Sequence, residues 1–360
     1  MDATNGAGPG RFRRKAGAWP AQGGQQGTRH ETRTYRPEDL YGALDLGTNN
    51  CRLLIATPGH GGFTVVDAFS RIVRLGEGLS QSGVLSEGAM GRTIDALRVC
   101  ANKLKWRNVV QVRLVATEAC RMASNGLSFI ARVKAETGLE LEIIDRETEA
   151  TLAAVGAEPL IDAEAETALV FDIGGGSTEV LWMERRGGRF EIAAWTSLAA
   201  GVVTISERFG GGVDVTRESF QAMCAHLRPM VGAFVAKVEA ATGRAPVPSH
   251  LLGTSGTVTT IAGVQLGLAR YDRSRVDGCW LGSGDIGRVT ARLLDFTYEQ
   301  RAANPCIGRE RADLVLAGCA ILEEIRLAFP AERIRVADRG LREGILTQLM
   351  NRSGSYGRPE

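Results

Sequence analysis

The chain has 360 residues and a formal net charge of +2 at neutral pH, with 43 Lys and Arg against 41 Asp and Glu. Hydrophobic residues make up 44% and charged residues 23%, which fits a globular chain long enough for two domains and lacks the electrostatic footprint of a duplex-binding protein. Seven cysteines without a C-x-x-C pair and four dispersed histidines argue against a zinc or disulfide framework, and the composition predicts reduced thiols in the cytoplasm with neither a membrane span nor a cleaved leader.

Residues 1–40, rich in Gly, Gln, Arg and Pro, read as a disordered tail. Within it RFRRK (11–15) reads as solvated charge, with tethering of a polyanion as the alternative. The folded part opens at YGALDLGTNNCRLLIA (41–56), an apolar strand, a tight Asp-x-Gly turn and a second apolar strand. FTVVDAFSRIVRLG continues as strand, and Ser86 is placed to cap a helix running through AMGRTIDALRVCANKLKW. VVQVRLVAT (109–117) is a strand, EACRMASNGLSFIARVKAETG a helical segment interrupted near Asn125 and Gly126, LELEIID a strand, and RETEATLAAVGA (146–157) an Ala-rich helix. The polar stretch from Pro159 to Glu166 reads as a connection between domains. ALVFDIGGGSTEVLWM, from Ala168, then repeats the opening pattern, with Asp172-Ile173-Gly174 matching Asp45-Leu46-Gly47. Two such hairpins, each opening an α/β segment of similar size, predict a duplicated domain. Helices follow at 217–242, 285–300 and 310–328, with SHLLGTSGTVTTIAG as strand into helix and RIRVADRGLREGILTQLM as the closing segment. The whole is an α/β chain.

No G-x-x-x-x-G-K-[ST] occurs, which removes the P-loop enzymes. GSGDIG (282–287) satisfies G-x-G-x-x-G without a clean buried strand before it, and reads as the approach to a helix capped near Ser283 or Asp285. GTSGT (253–257) lacks the last glycine of G-x-S-x-G. What remains is four glycine turns at strand ends, at 45–50, 172–179, 253–257 and 338–344, able to converge on a phosphorylated ligand between two domains. Gly174, Gly175 and Gly176 cost entropy and pack nothing, a cost that a loop presenting backbone N–H groups to an anion has reason to accept. Glu149, taken alone, reads as a helix-surface glutamate paired with Arg146.

These motifs, in this order, resemble the exopolyphosphatase/guanosine pentaphosphatase (Ppx/GppA) family of the actin-, sugar-kinase- and Hsp70-like ATPase superfamily. The carriers are ALDLGTNN, ATEACRMASN, LEIIDRETEA, FDIGGGSTEV, LLGTSGTV, ERADLVLAGCAIL and DRGLREGIL, spanning Tyr41 to Met350. The resemblance implies two duplicated ribonuclease H-like domains, at 41–158 and 166–350, around a cleft. The last helix is expected to pack back on the first domain, and 351–360 to form a tail. It implies a hydrolase that removes the terminal phosphate of inorganic polyphosphate, of pppGpp, or of both. Glu149 takes the role of catalytic base; Asn49, Arg121, Gly174, Gly175, Gly176 and Ser177 become phosphate ligands. Asp45, Asp172 and Glu179 are the best carboxylates for Mg²⁺ or Mn²⁺, directly or through water. The chain matches the short, two-domain form, for which a homodimer is a candidate assembly and neither a nucleic-acid duplex nor a membrane is an expected partner. Thr148 stands in place of the first glutamate of the family's Glu-Glu-Ala stretch, and Thr151 and Arg339 depart from the family pattern in ways that bear on substrate preference more than on the reaction. A sugar-kinase-like phosphotransferase and a non-catalytic (p)ppGpp sensor are the competing functions. The chemistry agrees with the hydrolase: phosphoanhydride cleavage needs charge neutralisation, an aligned water and a proton acceptor, and magnesium keeps most of its waters while touching few protein oxygens.

Overall fold

A computed structural model of the chain describes residues 39–59 and 62–354. RFRRK and most of both expected tails lie outside the described residues.

Two sheets carry the fold. In the first, β1 (Tyr41–Leu46) pairs antiparallel with β2 (Asn50–Gly59), and β2 with β3 (Gly62–Ile72). The short helix α1 (Leu79–Ser82) and the long α2 (Glu87–Trp106) follow, and Ser86 caps α2 by accepting the Ala89 N–H at 3.2 Å. The chain then runs through β4 (Gln111–Ala116), parallel to β1, α3 (Glu118–Met122), α4 (Gly126–Thr137), the two-residue β5 (Glu142–Ile143) and α5 (Arg146–Ala157). Asp145 caps α5 through the Thr148 N–H at 2.7 Å. The order is β3-β2-β1-β4-β5.

The second sheet repeats this plan. β6 (Thr167–Ile173), β7 (Thr178–Arg186) and β8 (Arg189–Leu198) form the antiparallel meander, followed by α6 (Val202–Arg208) and α7 (Arg217–Thr242). β9 (His250–Thr254) lies parallel to β6 and leads into α8 (Ser255–Gln265), α9 (Arg273–Val276), β10 (Trp280–Gly282), α10 (Ser283–Asp295), α11 (Tyr298–Ala303) and α12 (Val315–Ala328). β11 (Arg333–Ala337) pairs parallel with β9, and α13 (Leu341–Arg352) ends the described chain. The order is β8-β7-β6-β9-β11-β10. Apart from the extra edge strand β10, the two sheets share one topology, as a duplication requires. Its first parallel strands lie in the middle and are buried on both faces: Leu169, Val170 and Phe171 are each fully enclosed.

α13 returns to the first sheet. Leu341, Ile345, Leu346 and Met350 pack with Tyr41, Ala43, Leu54 and Val115 and with Leu152 of α5. The two helices touch backbone to backbone. A Cβ on Gly156 would lie 1.9 Å from the Gly340 carbonyl oxygen, and one on Gly344 would lie 1.9 Å from that of Leu152. On the other side, Arg74 reaches across to donate two hydrogen bonds to Asp313, at 2.7 and 2.9 Å, and Glu207 accepts from the Gly78 N–H and the Ser80 hydroxyl.

The helix expected at 285–300 is two. Phe296 is extended, and Thr297 accepts the Gln300 N–H at 3.2 Å to start α11 as a separate helix. The helix expected from 310 begins at Val315. The N-cap of α10 is Gly282, one residue before the expected Ser283, and its N–H donates to the expected Asp285 at Oδ2, 2.8 Å away. Among the described residues no helix is long and apolar enough to cross a membrane.

Candidate active site

The β1–β2 and β6–β7 turns are built alike. Each is closed by a single bond across three residues, the Gly47 N–H to the Asn50 carbonyl and the Gly174 N–H to the Ser177 carbonyl, both at 2.9 Å. Asp45 and Asp172 therefore hold equivalent places, one residue before the strand end. Their cross-strand neighbours differ in sign: Asp45 lies opposite Arg52, and Asp172 opposite Glu179.

The three glycines have a steric reason. None lies in the left-handed region. A Cβ on Gly175 would stand 2.9 Å from Thr48 Cβ and 3.1 Å from the Asn49 nitrogen, and one on Gly176 would stand 2.7 Å from Thr48 Oγ1 and 2.9 Å from Glu118 Cγ. The loop of one sheet is pressed against the turn of the other. Behind it, the Gly174 and Gly175 carbonyls accept the Val202 and Val203 N–H groups at the start of α6, both at 2.9 Å. A trans peptide sets its N–H opposite its C=O, so the Gly175 and Gly176 N–H groups point away from α6. They and the Ser177 N–H find no acceptor among the described residues.

These groups border a cavity of about 120 Å³ between the sheets, lined by Asp45, Thr48, Asn49, Asn50, Glu118, Glu149, Asp172, Gly174, Gly175, Gly176, Ser177, Glu179 and Arg311, among others. A larger cavity of about 720 Å³ adjoins it and shares Asp45, Arg52, Asp172, Ser255, Gly256 and Arg311 with it. At this junction α8 starts. Ser255, at φ +78°, is a non-glycine residue held in a sparsely populated conformation by donation from its hydroxyl to the Ile173 carbonyl at 2.6 Å. Its helix directs its first N–H groups, an anion-favouring end, at the cavity wall.

The cavity gathers every residue expected to bind phosphate or metal or to act as base except Arg121. Arg121 lies behind the wall. Its guanidinium donates to Glu149 Oε2 at 2.9 Å, to Glu118 and to the Ile144 carbonyl. Arg146 pairs with Glu118 at 2.7 Å, not with Glu149 as the isolated helix pattern suggested. Ser177 spends its hydroxyl on Glu179 Oε1 at 2.8 Å, a carboxylate that also accepts from Ser197 at 2.8 Å. Ser177 therefore offers a ligand its backbone N–H.

The carboxylates separate into two kinds. Burial pushes Asp172 up to about 6, with Arg52 pulling it down and Asp45 pushing it further up. Burial raises Glu179 to about 7, reinforced by Asp172 and opposed by hydrogen bonds from Ser197 and Ser177. Asp45 is raised by burial too. Glu149 is held well above the ordinary carboxylate range by burial and by the neighbouring charge of Glu179, against the pull of Arg121. Glu118 goes the other way: burial raises it, but hydrogen bonds from Arg146 and Arg121 outweigh that and leave it below the usual range.

Asn49 and Asn50 each bury a side-chain oxygen that has no hydrogen-bond partner among the described residues. Three buried carboxylates short of positive charge, together with two unspent amide oxygens, make an all-oxygen donor set. Such a set fits a hard divalent cation such as Mg²⁺ or Mn²⁺. Among the described residues no group of three or more Asp, Glu, His or Cys is gathered closely enough to cage an ion, so the fit is for a cation held largely through its waters.

Sequence reasoning passed over Glu118, Arg52 and Arg311. Glu118 stood in the quoted ATEACRMASN. Arg52 was open to discovery through the repeat, where it matches Glu179.

A family model described as the Ppx/GppA phosphatase family matches residues 54–353. The chain is 30% identical over 320 residues to exopolyphosphatase 2 of Mycobacterium tuberculosis, covering 85% of this chain and 97% of that protein. It is 28% identical over 313 residues to the guanosine-5'-triphosphate,3'-diphosphate pyrophosphatase of Photobacterium profundum, covering 87% of this chain and 60% of that longer protein. Among solved structures, an exopolyphosphatase from Cytophaga hutchinsonii aligns with a TM-score of 0.78 at 26% identity, over 87% of this chain and 98% of its own. The Aquifex aeolicus member of the Ppx/GppA family aligns with a TM-score of 0.72 at 28% identity, over 87% and 98%.

Proposed function

The chain belongs to the Ppx/GppA phosphatase family, and on that premise we propose that its central cavity hydrolyses the terminal phosphoanhydride of inorganic polyphosphate or of pppGpp, with Glu149 as general base. The protein is a hydrolase of this family; the choice of base, the ligand set and the cation are our reading. So are the division into lobes at 41–158 and 166–350 and a cytoplasmic setting, which seven unpaired thiols suit.

The observation that carries the reading is one cavity wall bearing both a carboxylate raised by burial and a row of unspent N–H groups. Charge develops on the equatorial and leaving oxygens as phosphate is transferred, and donors already aimed at them need no reorganisation. The Gly175, Gly176 and Ser177 N–H groups and the Asn49 side chain hold the terminal phosphate. Glu149 takes a proton from the water that attacks phosphorus, and the bond to the bridging oxygen breaks. The electrons leave with the shortened chain, whose new terminal phosphate departs as an anion. A divalent cation near Asp45, Asp172 and Glu179 would offset the phosphate charge when bound. Arg121 fixes the Glu149 carboxylate from behind, and Glu118 in turn fixes Arg121. Between the two glutamates, the one kept anionic by two arginines is the weaker base and the better anchor; the one raised by burial is the better base. Environments that push two carboxylates apart assign their roles.

Phosphate release measured separately with polyphosphate, pppGpp and ATP tests the proposal. Release from either of the first two supports it. Transfer to an alcohol acceptor instead of water, or tight binding of both substrates without turnover, would sink it.

A further inference from the structure

The cavity at the phosphate loop has only a sixth of the volume of its neighbour. A substrate that seats its terminal phosphate there must extend its remainder through the shared opening into the larger space. That larger wall carries seven arginines, a surface for a polyanion. Arg52 and Arg311 belong to the junction already described, and others are paired within the protein. Arg273, for instance, donates to the Asp338 carbonyl and to Glu343.

Arg339 is held differently. Its Nε and Nη2 donate to Asp277 Oδ2 at 3.2 and 2.5 Å, while Asp277 Oδ1 accepts the Asp338 N–H at 3.0 Å. Asp277 is not part of the cavity wall, whereas Arg339 is. The carboxylate therefore stands behind the guanidinium and fixes one edge of its fork. The Nη1 group has no acceptor among the described residues, and the side chain is one-third exposed (33%). The turn that carries it also borders the reaction site, since a Cβ on Gly340 would lie 3.7 Å from Asp172 Oδ2. A planar guanidinium with one edge anchored and the other open is pre-organised for a phosphate oxygen.

We propose that Arg339, positioned by Asp277, is a specificity-determining residue that takes a phosphate of the substrate beyond the one cleaved. This rests on the functional reading above. It makes the larger cavity a filter for substrates with several phosphates past the scissile bond, with Arg339 as its outer contact.

The test compares tripolyphosphate with long-chain polyphosphate on the full chain and on Arg339→Gln. Binding is read by calorimetry and turnover by phosphate release. The charge-assisted contact should be worth about tenfold in affinity. The long chain should therefore bind about tenfold more weakly to the variant and show a KM raised to match. Tripolyphosphate should shift by less than about threefold, and kcat should follow the parent for both. Asp277→Asn should shift KM in the same direction. Equal weakening for both lengths, or a fall in kcat with KM intact, overturns the proposal. If Arg339→Gln melts early, Arg339→Lys, which keeps the charge and loses the fork, should reproduce part of the chain-length-dependent loss; no loss there also overturns it. Should the parent turn over neither substrate, the functional reading fails, and the binding comparison still decides the role of Arg339.

Discussion

Arg121 Nη2 lies 2.9 Å from Glu149 Oε2, with the guanidinium behind the cavity wall and the carboxylate on it. An arginine in that place spends its Nε and Nη2 groups on two glutamates, which leaves it little to offer a phosphate directly. In the proposed mechanism it acts on the substrate through the geometry of Glu149. Glu149→Gln keeps the size and the hydrogen bond and removes the proton acceptor. Turnover should fall by about 10²–10⁴-fold, the usual contribution of a general base. Affinity should hold or rise slightly as a negative charge leaves a polyanion site. Single-turnover phosphate release beside equilibrium binding checks both halves.

The pH profile follows from the same residue. A base works only when deprotonated, and Glu149 is held well above its ordinary range by burial. Turnover should therefore decline as pH falls through a midpoint above that of an ordinary glutamate, near 4.3. The residual activity of Glu149→Gln should lack this limb. An acid limb unchanged in that variant would assign it to another group.

Gly176→Ala should cost about 1–3 kcal/mol of stability, because its Cβ has no room between Thr48 Oγ1 at 2.7 Å and Glu118 Cγ at 2.9 Å. A lower urea midpoint at constant slope would report it. Gly176 does not lie at positive φ, so backbone strain would not account for a loss, and an unshifted midpoint would contradict the steric account.

Chelation with EDTA should abolish phosphate release, and Mg²⁺ or Mn²⁺ should restore it. Both are oxygen-seeking cations that suit the carboxylates and the unpartnered Asn49 and Asn50 oxygens. Full activity in metal-free buffer would remove the cation from the reading.

Burial pushes the Cys120 thiol up to about 12, so it carries almost no thiolate at neutral pH and should resist iodoacetamide in the native state. Cys51 is buried as well. Replacing both by Ser should leave phosphate release measurable, and its complete loss in a variant that still folds would expose thiol chemistry.

The site was legible in the sequence where chemistry and repetition coincided. Asp45-Leu46-Gly47 and Asp172-Ile173-Gly174 carry residues that strands otherwise avoid, and their recurrence announced the duplication. β8 was passed over although Gly187 and Gly188, both with positive φ, form its turn. Its alternation is blurred by Ala193, Ala194 and Trp195, and that was enough to hide it. The break between α10 and α11 depends on one cap at Thr297, a local bond that an apolar periodicity does not register. Glu118 escaped for another reason. Its partners are Arg121, three residues on, and Arg146, 28 residues on, and only the folded chain brings the second of these within reach. The glycines show the same limit: presentation of N–H groups is readable in their own segment, whereas contact with Thr48 belongs to the other sheet and has no signature there.

The return of α13 to the first sheet has a consequence for how the molecule is made. Tyr41, Ala43 and Leu54 leave the ribosome long before the side chains that help to cover them, Leu341 to Met350. The opening sheet must therefore wait, one apolar face only partly covered, until α13 has been made. Pairings of such sequence separation form slowly, and exposed faces invite association meanwhile. A nascent chain stalled before residue 341 should be a client for chaperones, and the first sheet should reach its finished form only once α13 has emerged.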